Sequence, residues 1–331
     1  MHVLVLGGTR FIGPYVVRGL RDLGHDVTLF HRGRTEQEPL PHVRHIHGEF
    51  SEFETYVPEL RKLAPDVVLD MVPLTEEEGN RVLAFKGVAR RAVVISSADV
   101  YRAFGRLLRT EPGEPEPLPL TEQSPLREKL SPRGLEYNKT AMERVAKSDP
   151  ELPVTILRLP ATYGPGDYMH RLFFYIKRMD DARPTILVET PIAQWRWARG
   201  YVEDVATAVL LAVSEDKAAG KIYNVAELRA FSEAEWIEKI AKVTGWKGNI
   251  VTVESEQLPE TTRNTADLRQ DFVIDSDLIR RELGYAEVVD HTEALRRTIE
   301  WERANPPEIK PGDFNYALED QVLKSLRVSF P

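Results

Sequence analysis

The chain has 331 residues, 42% hydrophobic and 29% charged, the proportions of a globular protein with enough length for a large core and two domains. It has no cysteine, which excludes disulfides, thiolate metal ligands and a thiol nucleophile. Its formal net charge of −8 disfavours nucleic acid as a main partner, and no apolar run is long enough to span a membrane.

Val3-Leu4-Val5-Leu6 is an uninterrupted apolar run that predicts a strand buried on both faces. The chain enters this strand directly, so no leader peptide is expected and a cytoplasmic location is favoured. Gly7-Gly8 follow, then Ile12, Val16, Val17 and Leu20 at helical spacing. A strand, a glycine turn and a helix N-terminus form an anion site. Backbone N–H groups and the positive helix end face the turn, and a pyrophosphate fits there. Val27–Phe30 predicts a second strand and completes a βαβ unit. An acid at the tip of that strand would bond the ribose 2′-OH of NAD. Here the tip reads His31-Arg32-Gly33-Arg34, and positive charge suits a 2′-phosphate. NADP is therefore expected over NAD, with Arg10 reaching the phosphate from the other side.

Val43–Glu49 predicts a third strand with His45 and His47 on one face. No third ligand stands at a recognisable spacing from them, so no metal is expected. Helices are expected over 52–63 and about 77–88, and strands over Asp66–Asp70 and Val93–Ser97. The alternation predicts an α/β fold, a doubly wound parallel sheet whose ligand crevice lies beyond the carboxyl ends of the strands. Gly7–Gly13, Arg32, Asp70 and Ser97 all fall at those ends. The proline-rich stretch 109–130 excludes a helix or a central strand, and reads either as an active-site lid or substrate loop or as a stiff exposed linker. Ser131-Pro132 predicts a helix start, with the helix running through Leu135, Lys139, Met142, Glu143 and Val145. Val154–Leu159 is a sixth strand, and Tyr163–Asp167 is the loop at its carboxyl end. Residues 1–165 are expected to form a dinucleotide-binding domain. Residues 166–331 are expected to be mainly a substrate domain, with segments around 199–225 returning to the first. Further helices are expected from Tyr201, over 233–244 and over 292–303.

Several stretches resemble the extended short-chain dehydrogenase/reductase family, which includes sugar-nucleotide epimerases and dehydratases. Gly7-Gly8-Thr9-Arg10-Phe11-Ile12-Gly13 is similar to its cofactor loop, with Arg10 where many members have glycine. Ser96-Ser97-Ala98-Asp99-Val100-Tyr101 resembles its Ser-Ser-x-x-Val-Tyr segment, and Asn138-Lys139 with Glu143 its Ser-Lys-x-x-x-Glu helix. Arg158–Gly166, Arg199–Ala206, Ile222–Val225 and Leu283-Gly284-Tyr285 resemble later family signatures in the same order. The resemblance implies a Rossmann doubly wound parallel sheet with a smaller C-terminal substrate domain. It implies NAD(P) held by Gly7, Thr9, Arg10, Phe11, Ile12, Gly13, Arg32, Ser96 and Lys139. It further implies a nucleotide sugar or related polyol as substrate, and a homodimer through a helix bundle that includes the Lys139 helix.

One departure stands out. In the family a tyrosine four residues before the lysine is the acid/base. The lysine lowers its pKa and bonds the nicotinamide ribose, while a Ser or Thr holds the substrate oxygen. Here Leu135 stands at the tyrosine's place, and leucine transfers no proton. Tyr137 would lie nearly opposite Lys139 on a regular helix, and could substitute only if the helix starts later or its first turn is irregular, for which Gly134 leaves room. Three readings follow. In an enzyme, Ser97 polarises a substrate oxygen, Lys139 holds the nicotinamide ribose, and Asp99 or a tyrosine (Tyr101, Tyr137 or Tyr163) moves the proton. Alternatively the chain is a non-catalytic cofactor-binding sensor or scaffold. A third reading is an RNA-binding protein like the family's plastid offshoot, which has a similar Gly-Gly-Thr-Arg-Phe-Ile-Gly opening; the negative charge argues against it.

Overall fold

The computed structural model describes residues 1–35 and 42–326. The chain runs β1 (His2–Leu6), α1 (Ile12–Asp22), β2 (Asp26–His31), β3 (Arg44–His47), α2 (Phe53–Lys62), β4 (Val67–Asp70), α3 (Glu76–Gly79), β5 (Arg91–Ser97) and α4 (Arg102–Leu107). It continues through α5 (Lys139–Ala146), β6 (Val154–Leu159), β7 (Ala161–Tyr163), α6 (Phe173–Asp180), β8 (Thr185–Glu189), α7 (Thr190–Gln194), β9 (Arg199–Tyr201), α8 (Val202–Ser214) and β10 (Ile222–Asn224). The last elements are α9 (Glu233–Thr244), β11 (Asn249–Val253), α10 (Asp277–Leu283), α11 (His291–Ala304) and α12 (Tyr316–Ser325).

Seven strands form one parallel sheet in the order β10-β6-β5-β4-β1-β2-β3. The apolar run of β1 is buried throughout because alternate side chains enter different layers. Val3 and Val5 pack with Val16, Val17 and Leu20 of α1 and with Val205 and Val209 of α8. Leu4 and Leu6 pack on the other face with Phe30, Phe53 and Met142. Helices thus cover both faces, as a parallel sheet requires. The chain moves outward from β1 to β3, then returns to β4 on the other side of β1, which opens a crevice between β1 and β4 at their carboxyl ends. β10 joins this sheet beside β6, whereas β8 with β11 and β7 with β9 form two small parallel sheets. Among the described residues, no helix is long and apolar enough to cross a membrane.

Three stretches differ from the sequence-based expectation. The helix expected over 77–88 is the short α3, closed by a Thr75–Glu78 capping box, and a separate 3-10 turn over Val82–Phe85. Arg61 from α2 takes the carbonyls of Ala84 and Lys86, acceptors that a longer helix would have used. The proline-rich stretch is neither a free lid nor an exposed linker. Glu116 is buried against Arg102 and Arg106, and Leu120 exchanges backbone hydrogen bonds with Val273 and Asp275. The third difference falls in the site itself.

Candidate active site

The glycine loop follows β1. Gly7 and Gly8 have φ of 90° and 86°, which a residue with a Cβ adopts only under strain. Gly7 N–H donates to Phe30 O (2.9 Å), which ties the turn to β2. A Cβ on Gly13 would lie 2.4 Å from the carbonyl carbon and oxygen of Gly8, so the start of α1 rests directly on the turn. No side chain caps α1, and of its first N–H groups that of Gly13 donates to Arg10 O (2.9 Å) within the loop. Glycines that a side chain would fill, together with an uncapped helix N-terminus, fit a dinucleotide pyrophosphate. Gly13→Ala is therefore expected to cost about 1–3 kcal/mol of stability and to weaken dinucleotide binding roughly tenfold or more, measured by denaturant unfolding and fluorescence titration of NAD(P)H.

Around this loop, Thr9 Oγ1 lies 2.8 Å from Thr35 Oγ1, and the Arg10 guanidinium sits over the Tyr168 ring at 4.8 Å. Phe11 meets Tyr168 edge-on. Arg32 is exposed at the tip of β2, and its neighbour Arg34 pairs with Glu49.

Across the crevice, Asp70 ends β4 fully buried. One of its carboxylate oxygens accepts from Val72 N–H (3.1 Å), and the other has no hydrogen-bond partner among the described residues. Burial pushes its carboxyl from 3.8 to about 6, against the pull of Arg81 and the Val72 N–H. A raised native pKa means that the folded state holds its proton longer, so stability is lost as pH climbs from about 4 to about 6. At 1.36 kcal/mol per pKa unit this amounts to about 3 kcal/mol at neutral pH. Asp70→Asn is expected to stabilise the fold by up to that amount near pH 8 and by almost nothing near pH 4. Urea unfolding at both pH values checks this.

β5 ends at Ser96-Ser97 with the side chains on opposite faces. Ser96 is buried, and its hydroxyl donates to Glu143 Oε1 (2.6 Å). Glu143 also holds Arg158 (2.7 Å), which reaches the Tyr101 hydroxyl (3.0 Å), and Tyr101 donates to Asn224 Oδ1 (2.6 Å). The Ser96 hydroxyl thus belongs to an internal brace between α5 and strands β5, β6 and β10, leaving only its backbone for a cofactor. Tyr101 is committed to the same brace. Tyr163 is buried beside Glu227 in the C-terminal half.

Ser97, Asp99, Tyr137 and Lys139 come together at the carboxyl end of β5. Ser97 Oγ accepts from Asp99 N–H (3.3 Å), which holds Asp99 in a 3-10 turn. The Tyr137 hydroxyl donates to Asp99 Oδ2 at 2.6 Å and lies beside Ser97. Lys139 is buried, and its Nζ donates to Pro73 O (2.9 Å) and Ile95 O (3.1 Å). Burial pulls its pKa down, while Asp99, Asp70 and Glu143 pull it up. Burial first, and then the charge and hydrogen bond of Asp99, hold the Tyr137 phenol well above its usual range, so its proton stays on at neutral pH.

The helix carrying Lys139 does not start at Ser131. Ser131 instead accepts from Arg133 N–H (3.2 Å) and Gly134 N–H, and Gly134 turns the chain at φ 66°. A 3-10 turn over Gly134–Glu136 follows, and Asn138 caps Ala141 N–H (3.2 Å) to start α5 at Lys139. Tyr137 therefore sits on extended backbone (φ −143°, ψ 86°) ahead of the helix and reaches Asp99. Leu135 is 75% exposed. The i, i+2 helical offset that put Tyr137 opposite Lys139 does not apply, because no helix spans the pair.

The histidines of β3 also differ from expectation. A third histidine stands beside them, His31 at the end of β2, paired in register with His47. Sequence spacing could not reveal it, because the neighbour is across a strand pair rather than along one.

Residues 3–226 match the family described as NAD dependent epimerase/dehydratase. The chain belongs to this family. The chloroplast stem-loop binding protein of 41 kDa b of Arabidopsis thaliana is similar to this chain, 24% identical over 336 residues, covering 97% of this chain and 84% of that one. The 2′-dehydrokanamycin reductase of Streptomyces kanamyceticus is 25% identical over 294 residues, covering 85% and 78%. The solved UDP-glucose 4-epimerase of Thermotoga maritima, with UDP-glucose, shares the fold at a TM-score of 0.69 and 18% identity, over 93% of this chain and 100% of that one. Family membership implies an NAD(P) cofactor, consistent with the glycine cradle.

Proposed function

We propose that this protein is an NAD(P)-dependent enzyme acting on a nucleotide sugar, with the Tyr137–Asp99 pair as its acid/base. The 2.6 Å hydrogen bond between the Tyr137 hydroxyl and Asp99, beside Ser97 and near Lys139, carries the reading. The cofactor, when bound, supplies a hydride acceptor at its nicotinamide. Residues 1–165 hold it and residues 166–331 mainly hold the sugar nucleotide. Ser97 donates its hydroxyl proton to the substrate oxygen. Tyr137 takes the proton of the sugar hydroxyl as it passes its own to Asp99, so no free phenolate has to form beside a carboxylate. In the reverse direction Asp99 returns the proton through Tyr137 to the carbonyl oxygen. Lys139 spends two donors on Pro73 and Ile95 and offers the third to the nicotinamide ribose.

A UDP-glucose 4-epimerase and a dTDP-glucose 4,6-dehydratase, both similar to this chain, support the nucleotide-sugar class, and the similar 2′-dehydrokanamycin reductase supports redox chemistry on a sugar without that nucleotide. The test is incubation with NAD+ or NADP+ and a panel of UDP- and dTDP-sugars, with products resolved by anion-exchange chromatography and NMR as well as by mass, because an epimer has the mass of its substrate. Conversion of at least one is expected. Cofactor binding without conversion anywhere in the panel overturns the enzymatic reading in favour of a sensor or scaffold. Arg32, Arg10 and the absence of an acid between residues 31 and 35 favour NADP. NADP is expected to bind more tightly than NAD in a fluorescence titration, and equal or tighter NAD binding refutes this.

The similarity to a stem-loop binding protein over 97% of this chain supports RNA binding as a second reading. A salt-dependent gel shift with structured RNA would support it, against the net charge of −8.

A further inference from the structure

His31, His45 and His47 meet where β2 and β3 end. Their ligand nitrogens all lie within 4.8 Å of one another. The ring centroids of His31 and His45 are 5.0 Å apart, those of His31 and His47 4.7 Å, and those of His45 and His47 6.4 Å. His45 and His47 share a face by alternation, and the parallel register brings His31 beside them. His31 is buried and fixed, His45 half-buried and His47 exposed.

We propose that these three histidines form a binding site for a divalent transition metal. Three imidazoles suit Zn2+, Co2+, Ni2+ or Cu2+ rather than Mg2+ or Ca2+, which take oxygen ligands. A tetrahedral zinc site with Zn–N bonds of about 2.0–2.1 Å needs nitrogens about 3.3 Å apart. The group is close to that: His31 Nε2 and His45 Nδ1 stand 2.8 Å apart, sharing a proton, and all three ligand nitrogens lie within 4.8 Å of one another. The metal replaces that shared proton. His31 Nδ1 now accepts from Gly33 N–H (3.1 Å), so it must take up the proton when Nε2 binds metal. The Gly33 amide is in an exposed loop and can turn to water at small cost. Three protein ligands leave one position for water or another ligand. A bound metal would clip the edge strand β3 to the tip of β2, beside Arg32, and so fix the loop that faces the cofactor's ribose in the reading above. The metal site itself does not depend on that reading.

The test uses the untagged full chain, stripped with a chelator. Zn2+ titrated by calorimetry is expected to bind at one equivalent, and Co2+ to give the visible absorption of a low-coordinate imidazole complex. His47→Gln and His45→Gln are each expected to weaken Zn2+ binding by at least about tenfold, the lower end of what even an outer-shell partner contributes. His170→Gln, on the far partner Glu302, is expected to change nothing. His47 is exposed, so its variant tests the site without threatening the fold. No saturable binding at one equivalent overturns the proposal, as does binding that survives both histidine substitutions.

Discussion

Tyr137→Phe is expected to lower kcat on a nucleotide sugar by about 10²–10⁴-fold, the usual contribution of a positioned acid/base, with dinucleotide affinity unchanged. The substitution removes one oxygen from a side chain whose ring stays packed under Arg133. The fold should therefore be unaffected, and near-ultraviolet circular dichroism checks that it is. Asp99→Asn is expected to produce a comparable loss, because a relay fails when either member cannot take the proton. Combining the two should cost little more than either alone, as residues acting as one unit are strongly non-additive. Leu135→Ala serves as the contrast. It alters the position that sequence comparison associates with catalysis, yet its side chain is in solvent and turnover should not change. Full activity in Tyr137→Phe would refute the relay.

Arg158→Ala is expected to destabilise the fold by about 3–5 kcal/mol, because it leaves the Glu143 carboxylate buried without its counter-charge. The pair is 2.7 Å apart, with both side chains 5% exposed or less. The Ser96 hydroxyl and the Tyr101–Asn224 contact depend on the same brace. The double substitution Glu143→Leu with Arg158→Met is expected to cost less than Arg158→Ala alone, since it removes both buried charges together. Chemical unfolding of the two variants beside the unsubstituted protein measures this. A smaller loss in Arg158→Ala than in the double variant would show that the brace's hydrogen bonds outweigh its charge pairing. The brace matters for function because it ties the strand bearing Ser97 to the helix bearing Lys139.

What could be read from the chain alone was whatever local pattern and nearest-neighbour chemistry determine. The run Val3–Leu6 is a strand buried on both faces, and the glycines after it turn where a Cβ would clash, because both follow from short-range sterics and the period of the backbone. The alternation of elements up to Leu159 likewise implies the parallel sheet and places Asp70 and Ser97 at its ligand-facing ends. The tertiary structure decided the rest. Ser131-Pro132 has the composition of a helix start, yet Gly134 and the Asn138 cap compete with it over the same few residues. Tertiary packing of Tyr137 onto Asp99 accompanies the later start. Ser96 and Ser97 are adjacent in sequence, but the pleat sends one hydroxyl into the Glu143–Arg158 brace and leaves the other at the site. His31 meets His45 and His47 only because β2 and β3 pair in one register. Contacts across strands and loops carry no signature in spacing along the chain, and for that reason the Tyr137–Asp99 hydrogen bond and the histidine cluster emerge only from the folded molecule.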